Sequence, residues 1–140
     1  MANPERVVAI LGVGVVPAQT PILRADDLGA VRGDGIFETM HVRDGKPWLL
    51  DEHLARMARS AALLALDLPG EAALRGLVDQ AVAAWPATRE GSLRLICTRG
   101  GEDGGPATVF ATVSVVGEAL KRARHGGVAA VTAPLGVPAT

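Results

Sequence analysis

Guanidinium groups stand out among the side chains able to do chemistry. Arg32, Arg56, Arg94 and Arg99 lie in or beside regularly patterned apolar segments, with Glu38 and Thr39 between the first two. An arginine offers a planar fork of donors that matches a phosphate or a carboxylate. His53, Arg56 and Ser60 follow one another at i, i+3 and i+7, so they share one flank of a helix. Two placements stay open for Arg56: over the rim of a cavity holding an anion, or along the surface with its stem on apolar neighbours. Periodicity alone favours the second.

In SLRLICTRG, strict alternation puts Leu93, Leu95 and Cys97 on one face of a strand and Arg94, Ile96 and Thr98 on the other. Arg94 is either solvated on an open face or paired, because burying a lone guanidinium is costly. Arg99 enters a glycine-rich loop, where solvation is an equal reading. Glu38 and Thr39 alternate, so only one of them can face any given cleft, and Phe37 shares the face of Thr39.

Other chemistries find little support. GVGVV is not a dinucleotide fingerprint, and no phosphate-binding G-x-x-x-x-G-K-[ST] loop occurs. His41, His53 and His125 lack neighbours at metal-ligand spacing, so no metal site is expected. Cys97 in an apolar strand reads as core rather than nucleophile. The RGD at 32–34 reads as a loop feature, not an adhesion signal.

Strands and helices must position these groups. Residues 7–16 (VVAILGVGVV) predict a strand with a glycine interruption, and a polar, turn-rich segment follows to Gly35. Residues 36–42 and 46–50 flank Asp44-Gly45, a strong two-residue hairpin signal, with Pro47 suited to an edge. Asp51 reads as an N-cap for a helix with a core stripe of Leu54, Met57, Ala61 and Leu64, ended by Pro69-Gly70. A second helix over 71–85 aligns Leu74, Leu77, Val78, Ala81 and Trp85, and Pro86 stops it. Residues 93–99 and 107–116 read as strands joined by the loop GGEDGGP. The order β, ββ, αα, ββ predicts an α+β fold, a mainly antiparallel sheet with two helices on one face.

The domain division read from this pattern is an α+β domain over 1–122. Residues 123–140 then form an interdomain linker, with the strand-like run 127–133 opening a truncated second domain. With 49% hydrophobic and 21% charged residues over 140 positions, the chain can bury a real core. A net charge of −1 gives no reason to expect a nucleic-acid or acidic-membrane partner. The apolar run 7–16 is too short to span a bilayer, and a single cysteine fits a reducing compartment, so a cytoplasmic location is expected.

The stretch RGDGIFETMHVRDGKPWLLDEHLARMARSA, with LRLICTRG downstream, resembles the N-terminal segment of fold-type IV pyridoxal-phosphate-dependent enzymes. That family includes branched-chain and D-amino-acid aminotransferases and aminodeoxychorismate lyases. The matching pattern is G-D-G-x-[FY]-[ET]-[TS], an Asp-Gly hairpin, then H-x-x-R-[LM]-x-x-[SA], and the similarity spans about residues 20–136. GDGIFET with DGK looks more like the lyases, since branched-chain relatives usually carry a tyrosine where Arg32 stands.

The resemblance implies that Arg56 holds the phosphate of pyridoxal 5'-phosphate. It places Phe37 and Thr39 near the cofactor and substrate cleft, has Arg94 meet a substrate carboxylate, and points Arg32 towards a neighbouring subunit's site in a homodimer. The substrate would be an amino acid or aminodeoxychorismate. The Schiff-base lysine of the family has no match in Lys46 or Lys121. No catalytic residue is therefore assigned within the chain, which by itself is expected to be inactive and not to hold the cofactor. A contrasting reading from another class is a non-catalytic α+β domain that binds a ligand through the same face.

Overall fold

A computed structural model describes residues 4–133 and 136. Its strands are β1 (Arg6–Ile10), β2 (Gly14–Val16), β3 (Gly35–Arg43), β4 (Lys46–Pro47), β5 (Gly91–Thr98) and β6 (Thr108–Val115). Its helices are α1 (Leu28–Arg32), α2 (Leu50–Leu63), α3 (Glu71–Ala83) and α4 (Glu118–Gly126). The strands form one antiparallel sheet in the order β2-β1-β6-β5-β3-β4. The α+β class read from the sequence is the observed one. No helix among the described residues is long and apolar enough to cross a membrane.

The core lies between one sheet face and α2 with α3. Met40, Leu93, Val113 and Val7 align across the sheet, as do Ile36, Cys97 and Val109, and all are buried. Leu54, Met57 and Ala61 of α2 meet them, with Leu74, Leu77, Val78 and Ala81 of α3. Trp85, two residues beyond α3, is buried too and donates its indole N–H to the Arg89 carbonyl at 2.9 Å.

Several elements depart from the pattern reading. Residues 7–16 are a hairpin and not one strand: Gly12 takes a left-handed φ of 77°, and Val13 N–H closes the turn on the Ile10 carbonyl at 3.0 Å. The turn-rich segment before Gly35 contains α1, capped by Asp27, which accepts from Gly29 N–H at 2.9 Å. Asp51 does not cap α2. Leu49 precedes the helix in a left-handed conformation, and Asp51 sits in the first turn, paired with Arg75 of α3. The helix stops at Leu63, well before Pro69, so Leu64 is half exposed rather than part of the stripe.

A left-handed Ala65, φ 47°, ends the helix, its N–H and that of Leu66 returning to the carbonyls of Ala62 and Ala61, and Arg99 braces the turn. It donates to the carbonyls of Leu64 at 2.8 Å and Ala65 at 3.0 Å, while its Nε meets Asp34 at 2.7 Å. Carbonyls left without a partner at a helix end need donors, and this guanidinium supplies them. Arg99, for which the sequence leaves solvation an equal reading, is thus a cross-link between α2, β5 and the start of β3. The basic run at 121–124 belongs to α4, which continues past 122, and residues 127–133 pair with no strand of the sheet. Residues 134, 135 and 137–140 of the expected linker lie outside the described residues.

Candidate functional site

β3 carries the site because its two faces do different things. Ile36, Glu38, Met40 and Val42 point towards the helices, and Phe37, Thr39, His41 and Arg43 point away. Glu38 lies in register with Leu95, Ala111 and Ala9, and it is only 4% exposed. A carboxylate in such a row demands cationic or hydrogen-bonding partners.

The first turns of α2 provide them. Arg56 Nε donates to Glu38 Oε1 at 2.7 Å and its Nη2 donates to Oε2, a bidentate pair. His53 Nδ1 lies 2.7 Å from Oε2, and an ionised carboxylate only accepts, so the imidazole donates there. Burial pushes the Glu38 carboxyl up, but hydrogen bonds from Arg56 and His53, with their charges, outweigh it and hold the pKa below the ordinary value. The Arg56 side chain is 59% exposed, so its remaining N–H groups face outwards. The guanidinium is thus fixed from behind and open in front.

The outward face of the sheet holds Phe37, Thr39 and Arg94. Thr39 and Arg94 are direct cross-strand partners. The Arg94 guanidinium lies over the Phe37 ring at 5.4 Å from its centroid, a cation–π contact, with Phe37 63% exposed. Arg94 is therefore solvated on an open face. Arg32 is not gathered in with these groups. It ends α1 and stands 3.6 Å from Glu102 of the glycine loop, both exposed. Cys97 faces the helices in the core, and burial with the nearby Asp67 charge pushes its thiol up to about 11, so it stays protonated and inert.

The sequence reading names Glu38 and His53 but does not join them to Arg56 as partners. Glu38 and His53 were legible: an acid at the same parity as Ile36, Met40 and Val42 requires a cation, and H-x-x-R is the nearest source. The family pattern pointed to Arg56, with Arg32, Phe37, Thr39 and Arg94, and left the support of Arg56 unread.

Residues 35–135 match the family model described as amino-transferase class IV. A bifunctional aminodeoxychorismate lyase / D-amino acid transaminase of Mycobacterium tuberculosis is 46% identical over 121 residues, covering 85% of this chain and 42% of that protein. A hypothetical aminotransferase from Mycobacterium tuberculosis, in its PLP-bound form, superposes with a TM-score of 0.83 at 42% identity, covering 87% of this chain and 44% of the other. A 4-amino-4-deoxychorismate lyase from Pseudomonas aeruginosa gives a TM-score of 0.54 at 38% identity, covering 71% and 37%. The chain spans less than half the length of these relatives.

Proposed function

The chain belongs to the class IV aminotransferase family, and from that membership we propose that it is the N-terminal part of a pyridoxal-phosphate-dependent enzyme. The reaction favoured is release of pyruvate from 4-amino-4-deoxychorismate to leave 4-aminobenzoate. The observation that carries the reading is Arg56, pinned by Glu38 and His53 with its outer N–H groups free.

That donor set fits a phosphate. The Glu38 carboxylate uses one edge of the fork, and the opposite edge stays available for an anion. Pyridoxal phosphate, when bound, supplies an electron sink that lets a proton leave the substrate's α carbon. Arg56 holds and orients the phosphate from the side of α2. Phe37 and Thr39 form a wall of the substrate cleft, and Arg94, steadied by the Phe37 ring, meets a substrate carboxylate. Arg32, exposed at the end of α1, reaches towards a neighbouring subunit's site. The working assembly is a cytoplasmic homodimer, which the exposed Trp48, Leu49 and Leu63 support.

The chain's own lysines do not serve as the proton carrier. Lys46 lies on β4 at the sheet edge, and Lys121 of α4 is paired with Glu118. We therefore expect no turnover from these 140 residues alone.

A second reading, an amino-acid transaminase acting on branched-chain or D-amino acids, is favoured by other names. The 46%-identical relative is also called a D-amino acid transaminase. A D-alanine aminotransferase of Bacillus licheniformis is 38% identical over 76 residues.

The test is made on the full-length protein. Its visible cofactor absorption should survive dialysis, and Arg56→Ala should weaken cofactor affinity roughly 10- to 100-fold. Unchanged affinity refutes the phosphate role. Formation of 4-aminobenzoate from aminodeoxychorismate supports the lyase; amino transfer without it selects the second reading.

A further inference from the structure

Helix α4 lies against one end of the outward sheet face without burying any of its own residues. Leu120 is 54% exposed, and beneath it is a small cavity of about 140 Å³ whose walls include Thr39, His41, Ser92 and Val116. Apolar burial therefore contributes little to holding this helix. Among the described residues, its one ion pair to the rest of the fold joins Arg124 to Glu90, just before β5, at 2.9 Å. Its other ion pair, Lys121 with Glu118, is internal to the helix. Residues 127–133 pair with no strand of the sheet, so the seat of α4 sets where the chain leaves it.

A third group faces that pair. His41, on the outward side of β3, points its Nε2 to within 3.6 Å of the same Glu90 oxygen that Arg124 uses. That separation is beyond hydrogen-bond reach, and Nε2 is buried with no hydrogen-bond partner among the described residues. The Glu90 carboxyl is held below the ordinary carboxylate range, chiefly by the hydrogen bond from Arg124 and against the push of burial, so it stays ionised in mild acid. An ionised carboxylate only accepts, and its lone pairs have room for an imidazole N–H beside the guanidinium. The other charges near His41 are placed elsewhere. Arg43, two residues on along β3, stands 3.7 Å from Asp44. Arg6 shares the cross-strand row of His41 but lies beyond Ser92 and Ser114. His125, next to Arg124 on α4, is exposed.

We propose that α4 is a proton-controlled latch: with His41 protonated, Glu90 binds His41 and Arg124 together and ties β3 to α4, and with His41 neutral the helix loosens. A neutral imidazole keeps one bare acceptor nitrogen, which a carboxylate repels, whereas protonation makes both nitrogens donors and adds attraction of opposite charges. Glu90 is ionised in both states, so the imidazole alone switches. Imidazole ordinarily titrates near about pH 6.5, so the latch closes in mild acid and its hold is lost as the pH rises past neutrality. Thr39 borders the cavity under Leu120, so loosening α4 admits water to that end of the outward face.

Hydrogen exchange of the full-length protein tests it, read by mass spectrometry as protection factors corrected for the intrinsic pH dependence of exchange. Amides of 120–127 should be protected roughly fivefold more at about pH 5.5 than at about pH 8, the scale of a part-exposed ion pair, while those of α3 stay level. His41→Gln and Glu90→Gln should each hold residues 120–127 at the weaker protection throughout, whereas His125→Gln should keep the response. Protection of α3 in each variant reports an intact fold, and either His41→Gln or Glu90→Gln suffices for the test. A flat wild-type profile, protection that grows with rising pH, or a response that survives His41→Gln or Glu90→Gln overturns the proposal.

Discussion

Replacing Glu38 by glutamine puts the central arrangement to a quantitative test. The change keeps size and shape but removes the charge and turns one acceptor into an NH₂ donor. Glu38 accepts two hydrogen bonds from Arg56 and one from His53. In Glu38→Gln one of these sites meets donor with donor. Hydrogen bonds to charged partners contribute about 1.5–3 kcal/mol each, and water reaching the outer side of Arg56 softens the loss, so the net cost should be about 2 kcal/mol. For a chain of this size that lowers the unfolding midpoint by roughly 6 °C. The pH dependence carries the sharper signature. The folded pKa of Glu38 lies below its ordinary value of 4.5, despite the upward push of burial. A depressed carboxylate contributes stability that is fully present above the unfolded pKa and is lost as pH falls through the folded one. Urea unfolding followed by circular dichroism should therefore give a constant gap between wild type and Glu38→Gln from neutral pH down towards 4.5. Below that the gap should close. A variant within about 0.5 kcal/mol of wild type at neutral pH, or a gap that persists unchanged into acid, refutes the reasoning.

Two further outcomes follow from buried groups away from that pair. Asp27, 1% exposed, accepts from the hydroxyls of Thr98 and Thr108 at 3.0 Å each and caps α1 through Gly29 N–H. Asp27→Ala should cost about 3 kcal/mol in urea unfolding, and a loss under about 1 kcal/mol contradicts the network. The Cys97 thiol, pushed up to about 11 by burial and the Asp67 charge, should resist a thiol reagent near pH 8 in native buffer. Its labelling should rise with urea in step with the loss of circular dichroism; rapid labelling of the folded chain contradicts the core placement.

The fold was largely legible because the long elements have unambiguous periods. The stripe of α3 and the alternation of β3, β5 and β6 dictate which faces meet the helices, with Thr98 and Phe110 buried as well on the outward face. The misread elements depend on contacts that a local pattern does not contain. The turn that ends α2 is braced by Arg99, 35 residues away from Leu64 along the chain. The helix at 28–32 relies on Asp27 bonding to Thr98 and Thr108. The hairpin within 7–16 rests on pairing of β1 with β6, which leaves the short β2 as an edge. For the site, Arg56 was visible through the family pattern, and its posture was not.

The two faces of β3 make the site a single mechanical unit. A one-residue slip would carry Glu38 onto the open face and Phe37 under the helices, removing the pin of Arg56 and the support of Arg94 together. The chain guards against this at both ends of the strand. At the far end, Asp44 and Gly45 both take positive φ, 51° and 70°, the geometry of a two-residue turn whose twist fits the flanking strands. At the near end, β3 passes so close to β5 that a Cβ on Gly35 would stand 2.9 Å from the Cys97 carbonyl oxygen, and only glycine fits there. Arg99 clamps the adjoining Asp34. With both ends fixed, the alternation of Phe37, Glu38 and Thr39 sends a buried carboxylate to the helix side and an aromatic ring and a hydroxyl to the open side. The Arg56–Glu38 pair is set from the helix side and the Arg94–Phe37 contact from the open side, and the strand's register relates one to the other.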